Sequence, residues 1–490
     1  MKFVSTRSTE SADNASYAIV KGLAEDGGLF VPQFFPDLSG DIDKLCEMDY
    51  AERAAYIIGK FLDEYRTEEL LAACKAAYGR FEDGDPAPTV KISDDLFVLE
   101  LFHGPTLAFK DIALTLLPFL LRNGADRIGV KEEILILVAT SGDTGKAALE
   151  GFKDRKGIKI NVFYPSDGVS DMQKLQMRSQ SGGNVNVVGI KGNFDDCQTA
   201  VKKIFSDARL KTLLANENVV LSSANSINFG RLVPQVVYYF SAYCDLLTAG
   251  EIEKNEKINF TVPTGNFGNI LAGYYAKKMG LPVDKLICAS NSNNVLTEFF
   301  ATGEYDTDRE FYATMSPSMD ILISSNLERL IFELSGRDHK LTEKRMSELK
   351  KTGKYEISAE ELSKLEADFE AGYCDEEECR EEISGIFEEY GYLADPHTAV
   401  ALKVCQDLSY GKKTVVLSTA SPYKFTQNVL FAINGKRVKD AFSAAEILEE
   451  ETAAPIPKQI SDLRTAAVRF DAVIDKNSTE EVVLKFVSEK

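Results

Sequence analysis

From about residue 90 to residue 290, short β-branched runs alternate with helical patterns, and this alternation constrains the fold more than any other feature of the chain. The runs are Leu96–Leu101, Ile134–Ala139, Ile158–Tyr164, Val185–Gly189, Val219–Leu221 and Ile258–Val262, and a further one, Lys413–Leu417, follows later. Such alternation predicts an α/β fold with helices on both faces of largely parallel sheets. Before it, residues 1 to about 90 read as mainly helical, with amphipathic patterns in Asp49–Leu62 and Glu68–Tyr78, and the turn-rich segment Glu82–Pro88 marks a boundary. The polar stretch from about 337 to 390 reads as a helical elaboration. The expected division is an N-terminal domain over 1–90, two α/β subdomains over 91–435, and a segment over 436–490 that packs on them.

Composition narrows the function. A formal charge of −20 and the lack of a basic cluster with interleaved aromatics argue against nucleic acid as a partner. An anionic ligand would have to be held by a local positive site. No run approaches the roughly 20 apolar residues of a membrane helix. The opening MKFVSTRSTESADN resembles neither a signal nor a transit peptide, so a cytoplasmic protein is expected. Three histidines, His103, His339 and His397, and eight scattered cysteines give no metal-site spacing, so no metal is expected.

Three segments carry chemistry. In His103-Gly-Pro-Thr-Leu-Ala-Phe-Lys-Asp111 a Gly-Pro-Thr turn makes Thr106 the expected helix cap and puts Lys110 in the first turn, where the helix dipole repels a cation. A buried lysine there would lose its charge readily and could form an imine with an aldehyde cofactor; a solvated lysine is the plain alternative. Thr140-Ser-Gly-Asp-Thr-Gly145 follows a strand and opens a helix, so its backbone N–H groups and hydroxyls form an anion cradle, or an ordinary capped connection. Gly265-Asn-Phe-Gly-Asn269 forms a second cradle, with glycines that permit close backbone approach to a phosphate.

Taken together, these segments resemble the threonine synthases, within the tryptophan-synthase-β-like group (fold type II) of pyridoxal 5′-phosphate enzymes. Lys2–Pro32 resembles that family's N-terminal domain and Pro317–Arg329 another of its signatures. The resemblance implies two open α/β domains around a cofactor cleft. It implies Lys110 as the Schiff-base lysine and as the catalytic residue. Gly265, Asn266, Phe267, Gly268 and Asn269 would hold the cofactor phosphate, Asp143 would lie by its phenolic oxygen, and the Thr419 hydroxyl by its pyridine nitrogen. Thr140, Ser141, Gly142 and Thr144, with Asn225, Ser226 and Arg231 of Ser222–Arg231, would face the substrate.

The implied reaction is conversion of O-phospho-L-homoserine and water to L-threonine and phosphate by γ-elimination and β-addition, the last step of threonine biosynthesis, in a monomer or homodimer. A dehydratase or β-replacement enzyme acting on serine or threonine, and a relative that binds the cofactor without catalysis, are the alternatives. His103 and His397 are left without a role.

Overall fold

In the computed structural model, which describes residues 1–490 except Ser141, Asp167, Gly168, Ser409, Tyr410, Glu489 and Lys490, the alternating runs form two open sheets. The first has the strand order Phe369–Tyr373, Val283–Ser290, Ile258–Pro263, Thr414–Ser418, Leu96–Glu100, Thr89–Lys91. Its neighbours pair in parallel, apart from the antiparallel edge strand Thr89–Lys91. The second is parallel throughout, in the order Val473–Ile474, Val185–Ile190, Ile158–Pro165, Glu133–Ala139, Val219–Ser222. Every residue of Ile258–Pro263 and Thr414–Ser418 is buried, as central strands covered by helices on both faces require.

The N-terminal helices Tyr50–Gly59 and Thr67–Tyr78 fall on the amphipathic patterns. Beside them the structure adds a small antiparallel sheet in which Phe3–Ser5 pairs with Ser11–Ala12 and Phe30–Pro32. Strands of two or three residues are too short for a period to register. Residues 337–390 do carry the helices His339–Thr352, Ala359–Asp368 and Glu376–Tyr390. They also contain the edge strand Phe369–Tyr373, which pairs from Phe369 with Leu286 to Tyr373 with Ser290. Its sequence, FEAGY, includes Glu, Ala and Gly, poor strand formers, so tertiary pairing rather than propensity makes it a strand.

Near the C-terminus, Val473–Ile474 extends the second sheet beside Val185–Ile190, and helix Thr479–Ser488 buries Val483 and Val487 against Leu210 and Leu214. Helix Phe229–Thr248, buried along most of its length, packs against Gly268–Lys278 and against Lys110–Leu114. Among the described residues no helix is long and apolar enough to cross a membrane, and no cluster of His, Cys, Asp or Glu could hold a metal ion.

Candidate active site

The chemistry-bearing segments all leave the carboxyl ends of parallel strands, the edge at which open α/β sheets bind ligands. After strand Leu96–Glu100 the chain is stitched to the end of strand Thr414–Ser418. Leu101 N–H donates to Ser418 O and Phe109 N–H to Thr419 O, each at 2.9 Å. Thr106 is not the helix cap expected of it. It donates its N–H and hydroxyl to Asp111, at 2.7 and 2.6 Å, Leu107 takes φ 61°, and the helix begins at Lys110 itself. This turn sets Lys110 at the helix start with its side chain turned inward and buried.

Lys110 Nζ lies 3.3 Å from Asp143 Oδ2 and 3.4 Å from Ser318 Oγ. The other oxygen of Asp143 is held by Lys424 Nζ at 2.8 Å and by the Gln173 amide at 2.8 Å. Lys424 is fully buried and also donates to Thr106 O at 2.8 Å. Burial lowers the Lys110 pKa; Asp143 opposes that shift, and Lys424 and Arg231 add to it. Burial works against the Asp143 charge, but Lys424 and Lys110 outweigh it and hold the carboxyl below its ordinary value. The result is a charge-poor amine beside a firmly ionised carboxylate.

The first cradle is built around Thr140, whose hydroxyl accepts the N–H groups of Gly142 at 3.0 Å and Gly145 at 2.8 Å, so this side chain shapes the loop. Gly142 has φ 144°, and a Cβ there would sit 2.6 Å from Gln173, the amide that holds Asp143. Ser141 lies outside the described residues. Thr144 Oγ1 is 3.5 Å from the Arg231 guanidinium, which also donates to Ala224 O at 3.0 Å. Arg231 is buried and meets no carboxylate among the described residues; burial pushes its pKa down to about 10. Asn225 and Ser226 are half-buried beside it in sequence, and Ser226 Cβ comes within 3.7 Å of where a Cβ on Gly268 would stand.

The second cradle follows strand Ile258–Pro263. A Cβ on Gly265 would lie 2.8 Å from Ser318 O, so only glycine fits. Phe267 turns the chain at φ 64° and caps helix Gly268–Lys278 without a side-chain acceptor, leaving the first helical N–H groups for a ligand. Asn266 is exposed, and its carbonyl accepts both the N–H and the side-chain amide of Asn326, each at 3.1 Å. The carbonyl oxygen of the Asn269 side chain accepts Tyr239 OH at 3.0 Å, while its Nδ2 is buried with no partner. Thr419 is buried at the end of its strand.

These residues fit pyridoxal phosphate. A glycine turn with free N–H groups and an orphaned amide donor suits a phosphate, and a buried lysine of lowered pKa suits an aldehyde. Among the groups that act most on the charge-poor Lys110 amine, the cations Lys424 and Arg231 outnumber the carboxylate Asp143, in a chain of net charge −20. That excess is the local positive site the overall composition calls for.

Four further residues were not singled out by sequence. Lys424 follows Thr419 by five residues, and a lysine between Tyr423 and Phe425 is the only signal. Gln173 carries no local signal, and Ser318, like Arg329, is marked only as part of the segment Pro317–Arg329. Arg329 is fully buried and donates to Phe30 O at 3.1 Å, Asn326 Oδ1 at 2.5 Å and Ile227 O at 2.6 Å. It thereby ties the N-terminal sheet, the second cradle and the segment before Arg231. His103, half-buried, faces Glu100 at 2.8 Å rather than Lys110.

Comparison with known proteins agrees with this architecture. Residues 2–78 match the family model "Threonine synthase N terminus", 86–420 match "Pyridoxal-phosphate dependent enzyme", and 398–487 match "Threonine synthase, C-terminal". The chain is 42% identical to Threonine synthase-like 1 of Homo sapiens over 89% of its own length, and it spans 60% of the length of that relative. It is 36% identical to Threonine synthase of Pseudomonas aeruginosa, covering 95% of this chain and 97% of that one. The solved structure of PLP-bound threonine synthase from Brucella melitensis superposes with a TM-score of 0.89 at 39% identity, with 100% of both chains covered. That of the yeast enzyme gives 0.88 at 33% identity, covering 100% of this chain and 99% of the other. A glycine-lined cradle, a buried lysine and family matches that run from residue 2 to residue 487 lead to one conclusion: the chain belongs to the threonine synthase family of pyridoxal-phosphate-dependent enzymes.

Proposed function

We propose that the chain is a threonine synthase that binds pyridoxal 5′-phosphate on Lys110 and converts O-phospho-L-homoserine and water to L-threonine and phosphate. The observation that carries the reading is the buried Arg231, a guanidinium that meets no carboxylate among the described residues and lies 3.5 Å from Thr144, so the first cradle has a cation of its own in addition to the cradle at Gly265–Asn269. Two anion subsites suit a cofactor phosphate and a substrate phosphate, whereas a dehydratase acting on serine or threonine needs only the first.

When bound, pyridoxal phosphate supplies the electron sink for carbanion chemistry. In this reading Gly265, Asn266, Phe267, Gly268 and Asn269 hold its phosphate, with the Asn269 amide as a ready donor. Asp143 keeps its charge through Lys424 and so offers a fixed acceptor beside the phenolic oxygen. Thr419 would offer the pyridine nitrogen a hydroxyl in place of a carboxylate, with no negative partner to stabilise a charge there. Lys110, with its lowered pKa, takes the proton from Cα and returns protons during turnover, a contribution of about 10² to 10⁴ in rate. Arg231, Ser141, Thr144, Asn225 and Ser226 bind the leaving phosphate, and Thr140 shapes the loop through its bonds to Gly142 and Gly145.

In the same proposal, residues 1–90 form the N-terminal domain, 91–435 the two catalytic subdomains, and 436–490 a segment that packs on them. The protein works in the cytoplasm as a monomer or homodimer. The test is phosphate release with threonine formation by the wild type and by Lys110→Ala. The wild type should give both products and the variant neither. Cofactor attachment without turnover of O-phosphohomoserine, or turnover of serine or threonine instead, would overturn the reading.

A further inference from the structure

We propose that Ser318 is a positioning residue for the Lys110 amine, and that the buried pair Asp395 and His397 serves to hold it there; the inference rests on the cofactor role of Lys110 proposed above. The segment between strand Glu304–Asp306 and helix Leu327–Leu334 has no regular structure except the single turn Pro317–Met319, yet it runs directly beside Gly265 and Lys110. A long irregular segment keeps one conformation only if side chains fix it.

Two anchors do so here. Asp320 accepts Thr314 N–H at 3.0 Å, Thr314 Oγ1 at 2.7 Å, Asn291 Nδ2 at 2.8 Å and Asn293 Nδ2 at 3.0 Å. On the other side His397 Nε2 meets Ser318 N at 3.2 Å, while Nδ1 lies 2.7 Å from Asp395 Oδ1. Asp395 is fully buried and also accepts His397 N–H at 2.9 Å at the start of helix Pro396–Leu408.

The donor inventory settles the roles. A backbone N–H can only donate, so His397 Nε2 is the acceptor and Nδ1 carries the proton given to Asp395. The basic nitrogen of His397 is thus spent on the Ser318 backbone and is not available to activate the Ser318 hydroxyl as a nucleophile. The hydroxyl is left to Lys110 Nζ at 3.4 Å and Asp143 Oδ2 at 3.5 Å. It can donate to the carboxylate while accepting from the amine, which fixes one orientation of a side chain that is otherwise rich in rotamers. Catalytic geometry tolerates little error, so a held amine reacts faster than a free one.

The experiment uses the full chain, freed of cofactor and reloaded. One measurement is the rate at which pyridoxal phosphate becomes covalently attached to Lys110, trapped by borohydride. The other is the affinity for pyridoxine 5′-phosphate, which has an alcohol in place of the aldehyde and cannot bond to lysine. Ser318→Ala should slow attachment about tenfold, the value of one hydrogen bond at a reacting amine, with the analogue bound as by the wild type. Ser318→Thr, which keeps the hydroxyl, should restore the rate. His397→Phe should match Ser318→Ala, and the double variant should be no slower than either. Attachment by Ser318→Ala at the wild-type rate, or an equal loss of analogue affinity, would overturn the proposal. If the wild type attaches the cofactor normally yet forms no threonine, the assigned reaction fails while the role of Ser318 stands on the attachment rates.

Discussion

Lys424 Nζ lies 2.8 Å from Asp143 Oδ1, with both side chains buried, so the carboxylate that meets Lys110 is gripped from its far side by a second lysine. The pair divides the labour of the cleft: one lysine grips Asp143, and burial leaves the other with a weakened hold on its proton.

Removing Lys424 should reveal this division. Lys424→Met leaves Asp143 short of a partner in a buried site, at a cost of about 3–5 kcal/mol in denaturant unfolding. It also removes a cation that lowers the Lys110 pKa. In the cofactor-free protein, the pH midpoint for chemical modification of Lys110 should therefore move up. An unmoved midpoint would mean that Lys424 does not act on Lys110.

Gly265→Ala should weaken cofactor binding more than Gly268→Ala. The new Cβ would stand 2.8 Å from the Ser318 carbonyl at residue 265, but no nearer than 3.3 Å to Asn326 Nδ2 at residue 268. Backbone gives way less readily than a side-chain amide, and overpacking of this kind costs about 1–3 kcal/mol. Equilibrium dialysis with pyridoxal phosphate measures the difference, and equal losses would contradict it.

Arg231→Gln tests the substrate subsite. A charge-assisted contact to phosphate is worth about 1.5–3 kcal/mol, so KM for O-phosphohomoserine should rise roughly 10- to 100-fold. Cofactor affinity should stay unchanged. If cofactor affinity falls and KM does not, Arg231 serves the other anion.

Asp111 gives a pH signature. Burial raises its pKa from 3.8 to about 6, although the Thr106 hydroxyl and N–H oppose the shift. The folded protein therefore binds this proton more tightly than the unfolded chain does. The stability so gained is present below pH 3.8 and lost as pH rises through about 6. Relative to Asp111→Asn, the wild type should lose on the order of 3 kcal/mol of unfolding free energy across that window. Parallel pH profiles for the two proteins would refute the assignment.

Much of the fold and the site is legible in local pattern. Runs such as Ile134–Ala139 and Ile258–Val262 are apolar enough to be central parallel strands, and glycine-rich turns after them mark where backbone N–H groups meet anions. Local pattern misleads where a side chain or a strand outside the expected motif intervenes. Thr106 has the composition of a helix cap, but Asp111 takes both of its donors and the helix starts at Lys110. Phe369–Tyr373 has poor strand residues, but an open sheet edge beside Val283–Ser290 recruits it.

By itself, then, the amino-acid sequence determined the parallel α/β architecture and the placement of Lys110 and the two glycine-rich turns after strand ends, because each rests on periodicity, backbone freedom or residue type within a dozen positions. Only the tertiary structure decided which groups surround Lys110. Asp143, Ser318 and Lys424 come from three separate stretches of chain, and Asp395 and His397 act through a fourth contact to Ser318. Electrostatic and hydrogen-bond coupling depends on distance in space and on exclusion of water, and neither is written in the spacing of residues along a chain.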